Sequence, residues 1–397
     1  MAFPDSGEVL VNDRCLYRGG TGISTYLRNL LAHWPPDARL RPVCFCAAHP
    51  RIAGLIKPPA PANVTLSFRS LRDLITSRDK GASTPAWTRR LMLKTYATAF
   101  RAAFRKGRYA VYFEPNNLAM RCPGPMVTTV HDLSVLEHPE WHPPARVRQW
   151  QSDLDESLSA TDRWTVPSRF TRDRMVRLLG VGRERVAVIP LAGRPLPYPD
   201  QEQLATARAK VGLPARYFLY LGNLEPRKNV VTALEAYGRL PAELRAACSL
   251  ILAGPCAWGD TEFWDELCRH PMAGEALAAG YASDDQTALL LAGATALVMP
   301  SRYEGFGLPL LEAMRCGTPV LCSTVEAFRE VAEEAAVFIH PDDPDAWTAA
   351  MRRLLEDADW RRQLSRAGRL RAQEFSWEET ASRHLEVFEE AALASLR

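Results

Sequence analysis

The chain reads as an α/β protein made of two parallel-sheet units, and three observations predict it. A repeated grammar runs through the sequence: a short apolar run, a Gly-rich or polar loop, then an amphipathic helix. This grammar stops at a proline-dense, poorly periodic stretch, Gly193-Arg-Pro-Leu-Pro-Tyr-Pro-Asp200, and restarts beyond it. A length of 397 residues also exceeds what one ordinary core covers.

In the first unit, Val9 to Asn12 is a strand. Gly19-Gly-Thr-Gly22 then opens a helix to Ala32, in which Ile23, Tyr26, Leu27, Leu30 and Leu31 recur at helical spacing. Such a loop can present amides to an anion, although without GxGxxG spacing it also suits a tight turn. Leu40 to Cys46 and Val64 to Phe68 are expected as strands, with Pro58 to Pro61 as loop. Thr84 to Lys106 is expected as a helix. Met92, Leu93, Tyr96, Phe100, Ala103 and Phe104 make its apolar face, and Arg90, Lys94, Arg101 and Arg105 a basic one. Tyr109 to Phe113 and Met126 to Val130 are strands. They end in Glu114-Pro-Asn-Asn117 and His131-Asp-Leu133, at the sheet edge where such folds bind ligands. Ser168 suits a helix cap, and Arg185 to Pro190 closes the first sheet.

In the second unit, Tyr217 to Leu221 is a strand and Val230 to Leu240 a helix. Arg227 and Lys228 stand at the helix entry. There the helix dipole disfavours each by about 0.3–1 kcal/mol unless an anion offsets them; a solvated basic turn is the plainer alternative. Ser249 to Gly254 is a strand and loop, and Ser283 or Asp284 can cap the helix from Gln286 to Gly293. Ala294 to Met299 reads as a buried strand, followed by Glu304-Gly-Phe-Gly307. Two glycines let backbone come close to a ligand. Pro309 suits the first turn of the next helix and Gly317 its stop. Glu304 and Glu312, with seven residues between them, flank this anion-favouring helix start; the spacing alone also fits an ordinary strand–loop–helix with two solvated glutamates. The combination suits a ligand carrying both phosphate and hydroxyls, as a nucleotide sugar does.

Composition narrows the classes. Hydrophobic residues at 47% and charged ones at 24% are those of a globular protein. A net charge of +3 gives no reason to expect nucleic acid as a partner. No apolar run reaches the roughly 18–20 residues of a membrane span, and no signal peptide is evident at the start, so a cytoplasmic setting is expected. The nine cysteines are scattered through apolar segments without C-x2-C or H-x3-H pairs, which predicts reduced, mostly buried thiols and no zinc.

The strings Glu304-Gly-Phe-Gly-Leu-Pro, Glu312-Ala-Met and Cys316-Gly-Thr-Pro-Val320 closely resemble the donor-site motif of the retaining glycosyltransferases of family 4. Gly222-Asn-Leu-Glu-Pro-Arg-Lys-Asn229 is similar to that family's diphosphate-binding loop. The resemblance covers nearly the whole chain and is densest from 217 to 320. It implies the GT-B fold: two Rossmann-like domains facing across a cleft. The acceptor-binding domain would span 1–192 and the nucleotide-sugar-binding domain 193–377, with a C-terminal helix, 378–397, crossing back onto the first. It implies catalytic parts for Glu304, His131, Arg227 and Lys228. The two cations would hold the donor phosphates, His131 would reach the sugar, and Glu304 would touch it near the reacting carbon. Glu312 would hold the ribose hydroxyls, with Gly305, Phe306, Gly307, Leu308 and Asn229 lining the donor. Tyr281 would cover the base or belong to the core. Gly20, Gly22, Asp132 and Asn116 would line the cleft. No metal and no cofactor are implied, the nucleotide sugar being a substrate. Both glutamates come from one loop and helix, so the two-sided carboxylate arrangement of a retaining glycosidase is not expected.

His131-Asp132 and Tyr112-Phe-Glu-Pro-Asn-Asn117 look most like bacterial polysaccharide mannosyltransferases. That implies GDP-mannose as donor and a glycan or lipid-linked glycan as acceptor. A lipid-linked acceptor would suit docking of the basic helix face on the anionic inner leaflet. Two departures stand out. Leu191-Ala192-Gly193 delays a glycine that the family places two residues after the proline, and Ala327-Phe-Arg-Glu-Val331 replaces a Leu-Pro-Glu-Val run, bringing Arg329 to the pocket edge. The rival readings are a sugar-nucleotide epimerase of the same fold and an inactive sugar-nucleotide-binding scaffold. The first lacks the Arg-Lys plus E-x7-E combination; the second would have no need of intact Glu304, Glu312, Arg227 and Lys228.

Overall fold

The computed structural model describes residues 7–18, 22–48, 66–77, 86–106 and 109–394. Its strands, in chain order, are β1 Gly7–Val11, β2 Leu40–Cys44, β3 Arg69–Ser70, β4 Tyr109–Glu114, β5 Met126–Thr129, β6 Arg163–Val166, β7 Val186–Val188, β8 Tyr217–Leu221, β9 Ser249–Ala253, β10 Leu277–Gly280, β11 Ala296–Met299, β12 Val320–Ser323 and β13 Val337–Ile339. They form a six-stranded sheet, β2-β1-β4-β5-β6-β7, and a seven-stranded sheet, β13-β12-β11-β8-β9-β10-β3. All described pairs are parallel except β10 with β3. Parallel strands need crossovers, and helices fill them, so both sheet faces are covered. The continuous apolar run of β8 is accordingly buried throughout.

Two expected strands are corrected. The strand from Leu40 stops at Cys44, and Phe45–Ala48 is a short helix. Phe45 is buried there, and Asp13 Oδ1 accepts from the Cys46 N–H at 2.8 Å, which turns the chain out of the sheet. Of Val64 to Phe68, residues 64 and 65 lie outside the described residues and 66–68 are irregular. The strand is β3, on the edge of the second sheet rather than the first. Ser70 caps the helix Leu71–Thr76, whose Leu71, Leu74 and Ile75 are buried in a cluster with Trp264 and Leu267. Apolar burial thus takes this segment of the first half to the second sheet.

The helix expected from Thr84 is described as Ala86–Lys106. Tyr96, Phe100 and Phe104 are buried. Arg90, Met92 and Leu93 have side chains outside the described residues. The last helix, Trp377–Ala394, crosses back onto the first sheet. Phe388 stacks on Trp34 at 5.6 Å and meets Phe113 edge-on, and His384 Nε2 accepts from the Tyr26 hydroxyl at 2.7 Å. The stretch 191–200 has no regular structure and ends at Asp200, which caps Gln201–Val211. All nine cysteines are free thiols. Burial pushes Cys15 and Cys122 up to about 12, away from thiolate chemistry.

Candidate active site

The strand order of the second sheet reverses between β8 and β11, so the loops leaving their carboxyl ends diverge over one crevice. From β8 the chain makes a 3-10 turn, Pro226–Lys228, and Asn229 takes the left-handed conformation before the helix Val230–Gly238. Arg227 and Lys228 therefore precede the α-helix rather than opening it. From β11 come Ser301 to Gly307, and then the helix Leu308–Cys316 with Gly307 and Gly317 as its left-handed ends. At Gly307 (φ +114°) a side chain would be strained and would strike the Phe328 ring.

These two loops bring three charges together. Arg227 Nη1 donates to Glu304 Oε2 at 3.0 Å, and Lys228 Nζ pairs with Glu304 Oε1. Ser301 Oγ adds a bond of 3.0 Å to the same carboxylate. Burial opposes ionisation of Glu304, yet Lys228 and Arg227 hold its carboxyl below the usual range. Behind Arg227, fully buried Glu225 accepts from Nε and Nη2 through one oxygen, at 3.0 and 2.7 Å. Asn229 is buried and gives its amide nitrogen to the carbonyls of Pro300 and Pro341, tying the two loops together.

The first half meets this cluster closely. A Cβ added at Gly305 would lie 1.7 Å from the His131 carbonyl oxygen, so only glycine permits the approach. Ser168 caps the helix Arg169–Leu179, as expected, and also donates to the Gly305 carbonyl at 2.7 Å. Glu330 accepts from the Arg169 and Phe170 amides at 2.8 and 2.6 Å, an anion on that helix start from the other half. His131 Nε2 donates to the Pro115 carbonyl at 2.8 Å, and its ring stands edge-on to Tyr26. Burial holds its pKa below the ordinary histidine value. Asp132 accepts from the Ser134 amide and hydroxyl at 3.0 and 2.6 Å. Burial works against its charge, but Arg227 and the Ser134 bonds carry it down to about 2.

The remaining expected residues fall as follows. Phe306 is buried edge-on to Phe375, and Leu308 is partly buried. The Asn116 N–H donates to Glu114 at 3.2 Å. Gly22 is exposed at its helix start, and Gly20 lies outside the described residues. Tyr281 is 42% exposed, which removes the core alternative. Arg329 stacks over Phe338 of β13 at 4.9 Å. Glu312 is buried, and both of its oxygens are taken by Arg194, Nε to Oε1 at 2.6 Å and Nη2 to Oε2 at 2.8 Å. Neither Arg194 nor Glu225 was expected at the site. Glu225 has a local signal, two residues before Arg227; Arg194 has none. Among the described residues no His, Cys, Asp or Glu group is placed to hold a metal ion, and no helix is long and apolar enough to cross a membrane.

Two parallel-sheet units meeting at a charged switch point define a two-domain α/β protein with a charged crevice at the junction. Residues 21–192 match the family model described as glycosyltransferase family 4, and residues 205–371 that of glycosyl transferases group 1. The O-antigen chain mannosyltransferase B of Escherichia coli is 36% identical over 288 residues, 72% of this chain and 76% of that protein. The chain belongs to the family 4 glycosyltransferases and is a glycosyltransferase. Its fold is GT-B. Sucrose-phosphate synthase from Thermosynechococcus elongatus matches with a TM-score of 0.73 at 22% identity, covering 98% of this chain and all of that one. WaaG, a glycosyltransferase involved in lipopolysaccharide biosynthesis, matches with 0.69 at 15% identity, covering 96% and 99%.

Proposed function

We propose that the protein transfers a hexose, with mannose from GDP-mannose as the first candidate, onto a hydroxyl of a glycan or lipid-linked glycan in polysaccharide biosynthesis, with retention at the anomeric carbon. The observation that carries this reading is the Arg227–Glu304–Lys228 cluster at the sheet switch point. A nucleoside diphosphate outbids one carboxylate for these cations. Once it does, Glu304 is released toward the sugar. Arg227, held in register by Glu225, and Lys228 then stabilise the charge that grows on the leaving diphosphate. In this reading no metal takes part, because the two side chains supply the positive charge. The leaving phosphate oxygen takes the proton of the incoming hydroxyl, so the new bond forms on the face that the old one leaves. The relative named O-antigen chain mannosyltransferase B supports the choice of mannose and of a polysaccharide acceptor.

We place the domain division at 192/193, with the last helix returned to the first domain and the segment 69–76 packed on the second. The acceptor membrane would meet the basic face of Ala86–Lys106. Lys94 and Arg105 are exposed there, whereas Arg101 is paired with Glu156 at 3.0 Å.

The test is a panel of nucleotide sugars read by thermal shift and by release of nucleoside diphosphate, with and without mannoside acceptors. GDP-mannose is expected to stabilise the protein most, and NMR of the product is expected to show an α-mannoside. Isomerised donor without transfer would support the epimerase instead, and binding without turnover the scaffold.

A further inference from the structure

Arg194 lies in the irregular stretch between the two sheets, directly after Leu191-Ala192-Gly193. Gly193 packs so tightly on the Leu308–Cys316 helix that an added Cβ would lie 3.2 Å from the Glu312 nitrogen, and Pro195 restricts the other side. The guanidinium is thereby delivered onto Glu312 in a fork of two bonds. Its third nitrogen, Nη1, donates to Asp284 Oδ1 at 2.7 Å, at the start of the helix Asp284–Gly293 that follows the turn bearing Tyr281. The three side chains differ in access. Glu312 is 2% exposed, Arg194 19% and Asp284 57%. Arg194 is thus the more solvent-accessible partner of the Glu312 pair. Arg194 in turn has a second, solvent-facing carboxylate to retain when it leaves the first.

We propose that Arg194 gates the ribose position: the sugar hydroxyls of the nucleotide reach Glu312 as the guanidinium turns off that carboxylate and stays on Asp284. The inference rests on the reading of Glu312 as the ribose-holding group. Its consequence is a tax on binding. Part of the energy of the hydroxyl–carboxylate bonds is spent displacing a buried ion pair, and removing the occupant removes the tax. A nucleotide without the 2′- and 3′-hydroxyls does not displace Arg194 and is untaxed. It serves as an internal control for any general change in the fold.

The experiment is calorimetric titration of the wild type, Arg194→Ala, Arg194→Lys and Glu312→Ala with GDP and UDP, each beside its 2′,3′-dideoxy analogue. For whichever nucleotide binds, Arg194→Ala is expected to raise the ratio of dideoxy to ribo dissociation constants about tenfold, mainly through tighter ribo binding. Arg194→Lys, which reaches one carboxylate at a time, is expected to fall between, and Glu312→Ala to bring the ratio near one. Equal weakening of both forms in Arg194→Ala, or an unchanged ratio, overturns the gate while leaving the nucleotide reading intact. A ratio that survives Glu312→Ala overturns the ribose assignment and the gate with it. Failure of both nucleotides to bind the wild type sinks the nucleotide-sugar reading itself, and the gate as well.

Discussion

The two halves hold their buried polar groups in opposite ways. At the ends of β8 and β11, Arg227, Lys228, Glu225 and Glu304 each have an opposite charge in contact. Around the ends of β4 and β5, burial shifts the groups toward their neutral forms. Burial pushes Glu114 up to about 7, although Arg14 and hydrogen bonds from Tyr112, Asn12 and the Asn116 amide work the other way. Burial likewise brings His384 and, with Arg146, His142 down to about 4. Asp132 is the exception in the first half, and its charge is held by Arg227 from the second. A cluster of paired charges can trade one partner for an incoming anion. A hydrogen-bonded group such as Glu114 can only hold a shape, here the 114–117 turn from which Pro115 fixes His131.

Four experiments break or sharpen this contrast. The largest effect belongs to the charged half. Arg227→Ala and Lys228→Ala are each expected to lower turnover about 10²-fold or more, because each leaves developing charge on the leaving group uncompensated. Near-normal turnover in both variants removes the diphosphate from this cluster.

Within that half, the two glutamates are expected to separate. Glu304→Ala should lower kcat with little change in affinity for free nucleoside diphosphate, whereas Glu312→Ala should act on donor binding. Equal effects on nucleoside diphosphate affinity contradict the split.

The neutral half is tested by pH. The folded protein keeps a proton on Glu114 up to about pH 7, while the unfolded chain loses it near 4.5. The unfolded state thus holds fewer protons on Glu114 in this window, and the stability that Glu114 contributes falls as pH rises through it. His142 and His384 run the other way: their stabilisation is complete above the ordinary histidine range and is lost as pH falls toward 4. Comparison with Glu114→Gln isolates the first effect. Denaturant titrations should show the variant gaining on the wild type by about 2–3 kcal/mol between pH 4.5 and 8. A difference independent of pH would mean that Glu114 is ionised in the fold.

The smallest effect concerns the outer basic face of the first half. Each Lys or Arg near an anionic surface contributes about 1 kcal/mol, screened by salt. Co-sedimentation with anionic liposomes at low salt is expected, reversed by salt and weakened when Arg90, Lys94, Arg101 and Arg105 become Gln. Wild-type protein left in the supernatant ends the membrane proposal, and the Arg101–Glu156 pair predicts that Arg101 contributes least.

Much of the site was legible because its signals are local. Two glycines around Phe306, a proline in the first helical turn and a terminal glycine mark the 304–317 turn and helix whatever surrounds them, and the structure has that turn and helix. Ser168 and Ser283 are caps for the same reason. The apolar runs of β8 and β11 announce strands buried on both faces. The resemblance put Arg227, Lys228 and Glu304 in one candidate site; that they are partners in direct contact came from the structure.

What the sequence determined by itself, then, is the kind of the strongly marked elements, such as β8, β11 and the 308–316 helix, and the ends that a cap or a glycine sets. Periodicity, caps and glycines act within a few residues. Only the tertiary structure decided which elements share a sheet and which charges share a partner. Burial of Leu71, Leu74 and Ile75 beside Trp264 drew β3 to the second sheet. Glu330 came to cap a helix 160 residues away, and Arg194 came to cover Glu312 across 118 residues. Such pairings leave no periodic trace in the chain. They are set by the close packing of the two halves, where a buried charge is stable only beside whichever opposite charge the fold brings within reach.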